Sequence, residues 1–270
     1  MRRPIAYEDK KLLVLAGLAL LVAIWIAIDT FAGGAANWRR VWLRLPLLFT
    51  GSGAGWPITG GFMLNIILSI LSMALATLLG TIMGLATLAK APVVRLPALF
   101  VMNFLRNSPW LVLLFAMLYV LPFEARIFGM RVAFPPLVKA VIGLALPTAA
   151  NFSEVIRGAV QSIHTGQWEA ARSLGYTTGQ IYRYVILPQA LRRMIPGWMN
   201  LYALLMIATA LATVTGIQDV LTILNTSLSM ENERVIVYFF LTVLLFFFLY
   251  CYPIAILARR LERSVKGDNL

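Results

Sequence analysis

Long apolar stretches alternate along this chain with short polar ones, and within each stretch the apolar residues run on without a two-residue rhythm. Continuity of that kind predicts helices. In lipid every backbone N–H and C=O must be satisfied, and a barrel strand would show alternating polarity. Six segments approach the roughly 20 residues needed to cross a hydrocarbon core: 12–30, 62–89, 96–121, 135–156, 198–221 and 235–258. Pro109 is expected to break the third of them. A Gly/Ser-rich stretch at 50–61 separates the first segment from the others. The chain therefore divides into an N-terminal unit at 1–61 (tail, anchor helix and loop) and a five-helix domain at 62–265. No internal repeat is evident.

Composition points the same way. Hydrophobic residues make up 60% of the 270 positions, charged residues 13%, and mean hydropathy is +0.83, which describes an all-α polytopic helical membrane protein and excludes a soluble domain. The single cysteine, Cys251, lies in an apolar run, so no disulfide can form within the chain.

Of the 23 Lys and Arg residues, fifteen fall at the termini and in the connections after the second and fourth segments. Seven fall on the other side, and Arg106 lies inside a span. Basic residues are retained on the cytoplasmic side, so both termini and the connection after the fourth segment are expected to be cytoplasmic. The net charge of +12 is then a signal of topology and of contact with anionic lipid, with no need for nucleic acid. Arg2 and Arg3 before the first segment, and the small residues at 32–36, would also suit a secretory signal. The apolar stretch 12–28 is longer than the roughly 7–15 residues of a signal core, which favours an uncleaved anchor.

One polar stretch, 167–196, lies between two apolar segments and is built to meet a water-soluble partner. A helix over 168–174, a turn at Gly175 and a second helical run closed by Pro188 are expected. Glu169-Ala170-Ala171, then Gly175, then Val185-Ile186-Leu187-Pro188 resembles the cytoplasmic signature loop of permease subunits of binding-protein-dependent ABC importers. The likeness to their polar amino acid branch (histidine, glutamine, arginine and opine types) extends over residues 60 to 265. It runs through Leu64 to Ser69, Gly80 and Gly84, Phe104-Leu105-Arg106-Asn107-Ser108-Pro109 and Phe152 to Gly158.

The resemblance implies a coupling loop, 158–196, whose short helices seat on a separate cytoplasmic ATPase. Ala170 and Ala171 would permit close approach, Gly175 the turn, Glu169 an ion pair with the partner, and Leu187-Pro188 the link to the fifth span. The competing reading is an amphipathic helix lying on lipid through Trp168, Tyr182 and Tyr184, which leaves the Glu-Ala-Ala, Gly and Leu-Pro spacing without a reason. The implied assembly is an importer of the bacterial inner membrane: two ATPases, two permease subunits and a periplasmic solute-binding protein that delivers a polar amino acid or an opine-like compound.

The chain contains no Gly-x4-Gly-Lys-Ser/Thr loop, so ATP and magnesium are expected on the partner ATPase, with no cofactor, metal or catalytic site on this polypeptide. His164, the one histidine, reads as a surface residue. Polar side chains inside spans are costly unless they face a cavity or one another, so the candidate translocation path is Asn65, Ser69, Arg106, Asn151, Thr209, Thr213 and Asp219. Ser69 and Thr213 could equally bond back to their own helix. Arg106 beside Pro109 reads as part of a hinge, with a substrate carboxylate as the sharper alternative. Glu154 and Arg157, at i and i+3, read as a local ion pair.

Two departures from the branch bear on substrate. Ile207-Ala208-Thr209-Ala210-Leu211 stands where the branch has Lys-Asp-Thr-Ser-Leu, and Pro109-Trp110-Leu111-Val112-Leu113 where it has Pro-Leu-Leu-Val-Gln. That loss of polar groups implies a second, non-identical permease rather than a homodimer. Two other classes stay open at this point: a self-contained secondary transporter, which would need intramembrane acids that the central spans scarcely offer, and a membrane scaffold holding a soluble partner.

Overall fold

A computed structural model describes residues 34–127, 130–229 and 233–267, together with Gly17, Leu20, Ile24, Ala27 and Asp29. The anchor expected at 12–30 falls almost wholly outside the described residues. The helices are α1 (Ala35–Thr50), α2 (Gly61–Thr87), α3 (Pro92–Asn107), α4 (Trp110–Val120), α5 (Pro136–Gln161), α6 (Thr165–Ser173), α7 (Thr178–Gln180), α8 (Leu187–Ala208), α9 (Val220–Leu228) and α10 (Glu233–Gly267). α2, α5, Val235–Ser264 within α10, and the run Thr178–Thr215 that contains α8 are each long and apolar enough to cross a membrane. α3 and α4, bent by 106° at their junction, are long and apolar enough only as a pair, so the described residues hold four candidate spans, or five with the pair taken as one. The polytopic helical class expected from the pattern holds. The fold adds one antiparallel hairpin, β1 (Glu124–Ile127) and β2 (Met130–Ala133), with Glu124 opposite Ala133.

α5 is the central helix: 61% of its apolar window is buried, against 33% for the other three straight spans. Small residues make that possible. Its inner face carries Ala140, Gly143, Ala145, Ala149 and Ala150, and α2 meets it through Gly80 and Gly84. A Cβ at Gly80 would lie 2.7 Å from the Ala149 carbonyl oxygen, and one at Gly84 would lie 3.1 Å from Ile156. Between helices in lipid, where water exclusion adds little, this close packing is the main source of association.

The third span breaks where Pro109 predicts. Ser108 before it is extended, as a residue preceding proline prefers, and Pro109 becomes the N-cap of α4. Side chains at the break bond back into the last turns of α3. Asn107 Nδ2 donates to Asn103 O and Ser108 Oγ to Phe104 O, each at 2.7 Å.

Other expectations need correction. Pro188 does not close the second helix of the loop: the run from Thr178 continues through a π-helical segment, Ile181–Ile186, into α8 and then a 3-10 segment, Thr209–Thr215. In the π turn the N–H of Leu187 reaches back to Tyr182 O. A wider turn of this kind gives room to a proline ring that an α turn would not accept. The fifth span therefore ends at Gly216 (φ 78°) and not at 221. Asp219 is no span residue; it is the N-cap of α9, accepting from Thr222 N at 2.9 Å.

The stretch expected as a loop before the second segment contains α1. It packs through Val41 and Leu48, with Trp38 edge-on to Tyr238 at 5.1 Å. Lys139 is buried in the first turn of α5. It donates to Leu118 O at 3.0 Å and stands 3.8 Å from the Phe123 ring centre.

Replacing Gly80 by Val is expected to push α2 and α5 apart at a cost of about 1–3 kcal/mol. Gly158→Ala, where a Cβ meets nothing within 4 Å, should cause no loss. Midpoints of thermal unfolding of the two variants in detergent check the contrast.

Candidate functional site

The polar stretch folds as a compact elbow between α5 and α8. His164 caps α6, and the helix ends in a Schellman arrangement: Tyr176 N donates to Ala171 O (3.1 Å) and Gly175 N to Arg172 O (2.9 Å). Gly175 takes φ +77°, and no atom lies within 4 Å of where its Cβ would be. Glycine is needed there for its left-handed backbone and not for space. α7 begins with a capping box in which Thr177 Oγ1 accepts from Gln180 N while Gln180 Oε1 accepts from Thr177 N.

The elbow has an inner and an outer face. Ala171 turns inward into the cluster that holds Ile181, Ile186 and Ala190. Trp168 also turns inward, edge-on to Tyr182 at 5.1 Å. Glu169, Ala170, Gly175, Leu187 and Pro188 are exposed, and Leu174 stands 75% exposed at the tip. Of the two adjacent alanines, Ala170 alone is on the outer face. Arg193 fastens the elbow to α8 by donating to Ser162 O (2.6 Å) and Ser162 Oγ (2.8 Å).

The candidate path residues fall into separate groups. Asn65 is fully buried, donating to Thr209 Oγ1 (3.1 Å) and accepting from Val220 N (3.0 Å), so it ties α2 to the end of the long helical run and to the start of α9. Thr209 Oγ1 in turn bonds Met206 O. Thr213 meets Thr222 at 2.8 Å, and Thr222 meets Asp219 Oδ1 at 2.6 Å. Asp219 Oδ2 is buried without a hydrogen-bond partner among the described residues. Ser69 bonds back to Ile66 O and also meets Tyr202 Oη at 3.2 Å. Asn151 bonds Pro147 O on its own helix.

Arg106 stands apart from all of these. It faces Glu154 Oε2 at 3.6 Å, with the two side chains 35% and 30% exposed. Asn107 and Ser108 bond back to α3 carbonyls and leave Arg106 to a carboxylate on α5. Glu154 also pairs with Arg157, as its i, i+3 spacing suggests.

Sequence reasoning missed an aromatic ladder. Tyr202 Oη meets Tyr250 Oη at 2.7 Å, Trp198 Nε1 donates to Thr77 Oγ1 at 2.9 Å, and the Trp198 and Tyr202 rings stack with centres 6.0 Å apart. The i, i+4 spacing of Trp198 and Tyr202 was the available signal.

Residues 76–267 match the family model of binding-protein-dependent transport system inner membrane components. A probable amino-acid ABC transporter permease of Bacillus subtilis (strain 168), YckA, is 34% identical over 157 residues, covering 58% of this chain and 67% of that protein. The probable glutamine ABC transporter permease GlnP of the same organism is 31% identical over 205 residues, covering 75% and 90%. Among solved structures, an amino acid ABC transporter crystallised with histidines matches at TM-score 0.64 and 26% identity, over 75% of this chain and 91% of that one. The inward-facing MetNI methionine ABC transporter matches in fold, at TM-score 0.55 and 22% identity, over 76% and 92%.

Asn65→Leu would leave the buried Val220 N–H unsatisfied, at a cost of about 1–3 kcal/mol, while the Thr209 hydroxyl keeps its bond to Met206 O. A lowered thermal midpoint, with faster proteolysis around residues 216–229, is the expected result.

Proposed function

The chain belongs to the family of binding-protein-dependent transport system inner membrane components, and from that premise we propose that it lines half of a translocation path for a polar amino acid or a related compound such as an opine. It is a multi-pass protein of the bacterial inner membrane and works with ATP-binding subunits and a binding protein. ATP hydrolysis resides on those separate subunits, so the chain is no enzyme and holds no cofactor. A separate source of energy sets aside the self-contained secondary transporter and the scaffold.

The observation that carries the coupling role is the elbow itself. In a chain otherwise given over to apolar spans, its capped helices present Glu169, Ala170, Leu174 and Gly175 outward. Two ATPase subunits, one for each permease, would receive such elbows, and closure of the ATPase pair on ATP would carry the loops together and turn the spans between inward-open and outward-open arrangements. The excess of basic residues on one side supports cytoplasmic termini and a cytoplasmic elbow. The amino acid assignment is supported by the substrates named for the relatives. The apolar 207–211 and 109–113 stretches support a non-identical second permease, with selection made chiefly by the binding protein.

Glu169→Lys is expected to lower ATP-driven uptake in reconstituted vesicles about tenfold by opposing a basic group on the ATPase. Unchanged uptake contradicts the docking role. In the purified complex this chain is expected beside a different permease; two copies of it with no second permease would contradict the heteromeric assignment.

A further inference from the structure

Glu154 is the only acidic side chain in the described part of α5, and two arginines from different elements converge on it. Arg157, one turn further along, donates through Nε (2.9 Å) and through a second nitrogen to the other carboxylate oxygen, and it also reaches Gln161 Oε1 at 3.0 Å. The carboxylate is thereby held in one orientation, with Oε2 turned toward Arg106. Arg106 occupies the last turn of α3, immediately before the break at Ser108-Pro109.

We propose that Arg106 and Glu154 form a latch that ties the broken third span to the helix bearing the elbow, so that displacement of the elbow changes the angle at the break. The inference rests on the transport reading above. Both are positioning residues: a carboxylate already stands before Arg106, so a substrate carboxylate is not needed to satisfy it.

Three features make the latch mechanical. α5 is pressed against α2 at Gly80 and Gly84 and is one continuous helix to Gln161, so motion at its cytoplasmic end is carried along its length. The Arg193 bonds to Ser162 make the elbow and α8 move with it. At the break, Asn107 and Ser108 bond back into α3, and Pro109 has no N–H to offer Leu105 O, so no helical hydrogen bond from residue 109 holds the α3–α4 angle. The contact itself is 3.6 Å long and about one-third exposed. It can open and close within a transport cycle, as a fully buried pair could not.

The test uses the intact complex in proteoliposomes with its ATPases and binding protein, and reads solute transported per ATP hydrolysed. Arg106→Gln and Glu154→Gln are each expected to lower that ratio about fivefold or more while ATP hydrolysis continues. The double variant should be no worse than Glu154→Gln alone, because the Arg106 contact is already gone in that single variant. Arg106→Lys, which keeps the charge, should recover most of the ratio. If Glu154→Gln fails to assemble, Arg106→Gln decides the matter, since that side chain is one-third exposed. A wild-type ratio in Arg106→Gln overturns the latch alone, as does a rise in KM for solute with the ratio unchanged. A wild-type complex that moves no solute with ATP overturns the transport reading and the latch with it.

Discussion

The close approach of α2 and α5 through Gly80 and Gly84 is the constraint on which the rest of the molecule depends. With Gly80 sitting against the Ala149 carbonyl, the two helices leave no room for a side chain between them, and α5 becomes the axis around which the other spans are placed. Lipid supplies no hydrophobic force to hold helices together, so the contact must come from surfaces small enough to touch along their length. Neighbouring elements are attached to that axis at its ends: α4 and the residue before the hairpin through Lys139 at one end, α8 through the Arg193–Ser162 bonds at the other.

The polar residues within the bundle act mostly as fasteners. Asn65 bridges three elements, the Thr213–Thr222–Asp219 chain closes the turn before α9, and Ser69, Tyr202 and Tyr250 link α2, α8 and α10. In a low-dielectric interior such bonds fix the packing register more than they add net stability, because the same groups would find other partners in a less ordered bundle. Elsewhere the packing is looser: a proline break between α3 and α4, a π turn before Pro188, and a partly exposed ion pair at Glu154.

Much of this was legible in the residues. Uninterrupted apolar runs gave away the helical membrane class, Pro109 its broken span, and the Glu-Ala-Ala, Gly spacing its two-helix elbow. What escaped was set by distant contacts or by local geometry with two solutions. α1 and α9 are short and amphipathic, and they become helices where a face can bury Val41 and Leu48, or Ile223 and Leu224, against α10 and its neighbours. Pro188 was misjudged because proline ordinarily ends a helix, whereas here the preceding turn widens to admit it. Asn65 and Thr209 stand 144 residues apart in the chain, so no local pattern could show that each satisfies the other.

The central claim is that a cytosolic elbow between α5 and α8 receives movement from an ATPase and passes it into the bundle. Amide hydrogen exchange over residues 165–184, followed in the membrane-embedded permease with and without its ATPase subunits, addresses that claim most directly. Exchange there should slow when the ATPase is bound, most of all around Glu169 to Tyr176, while the α2–α5 contact stays equally protected in both states. Equal exchange in the elbow with and without the ATPase would contradict the account.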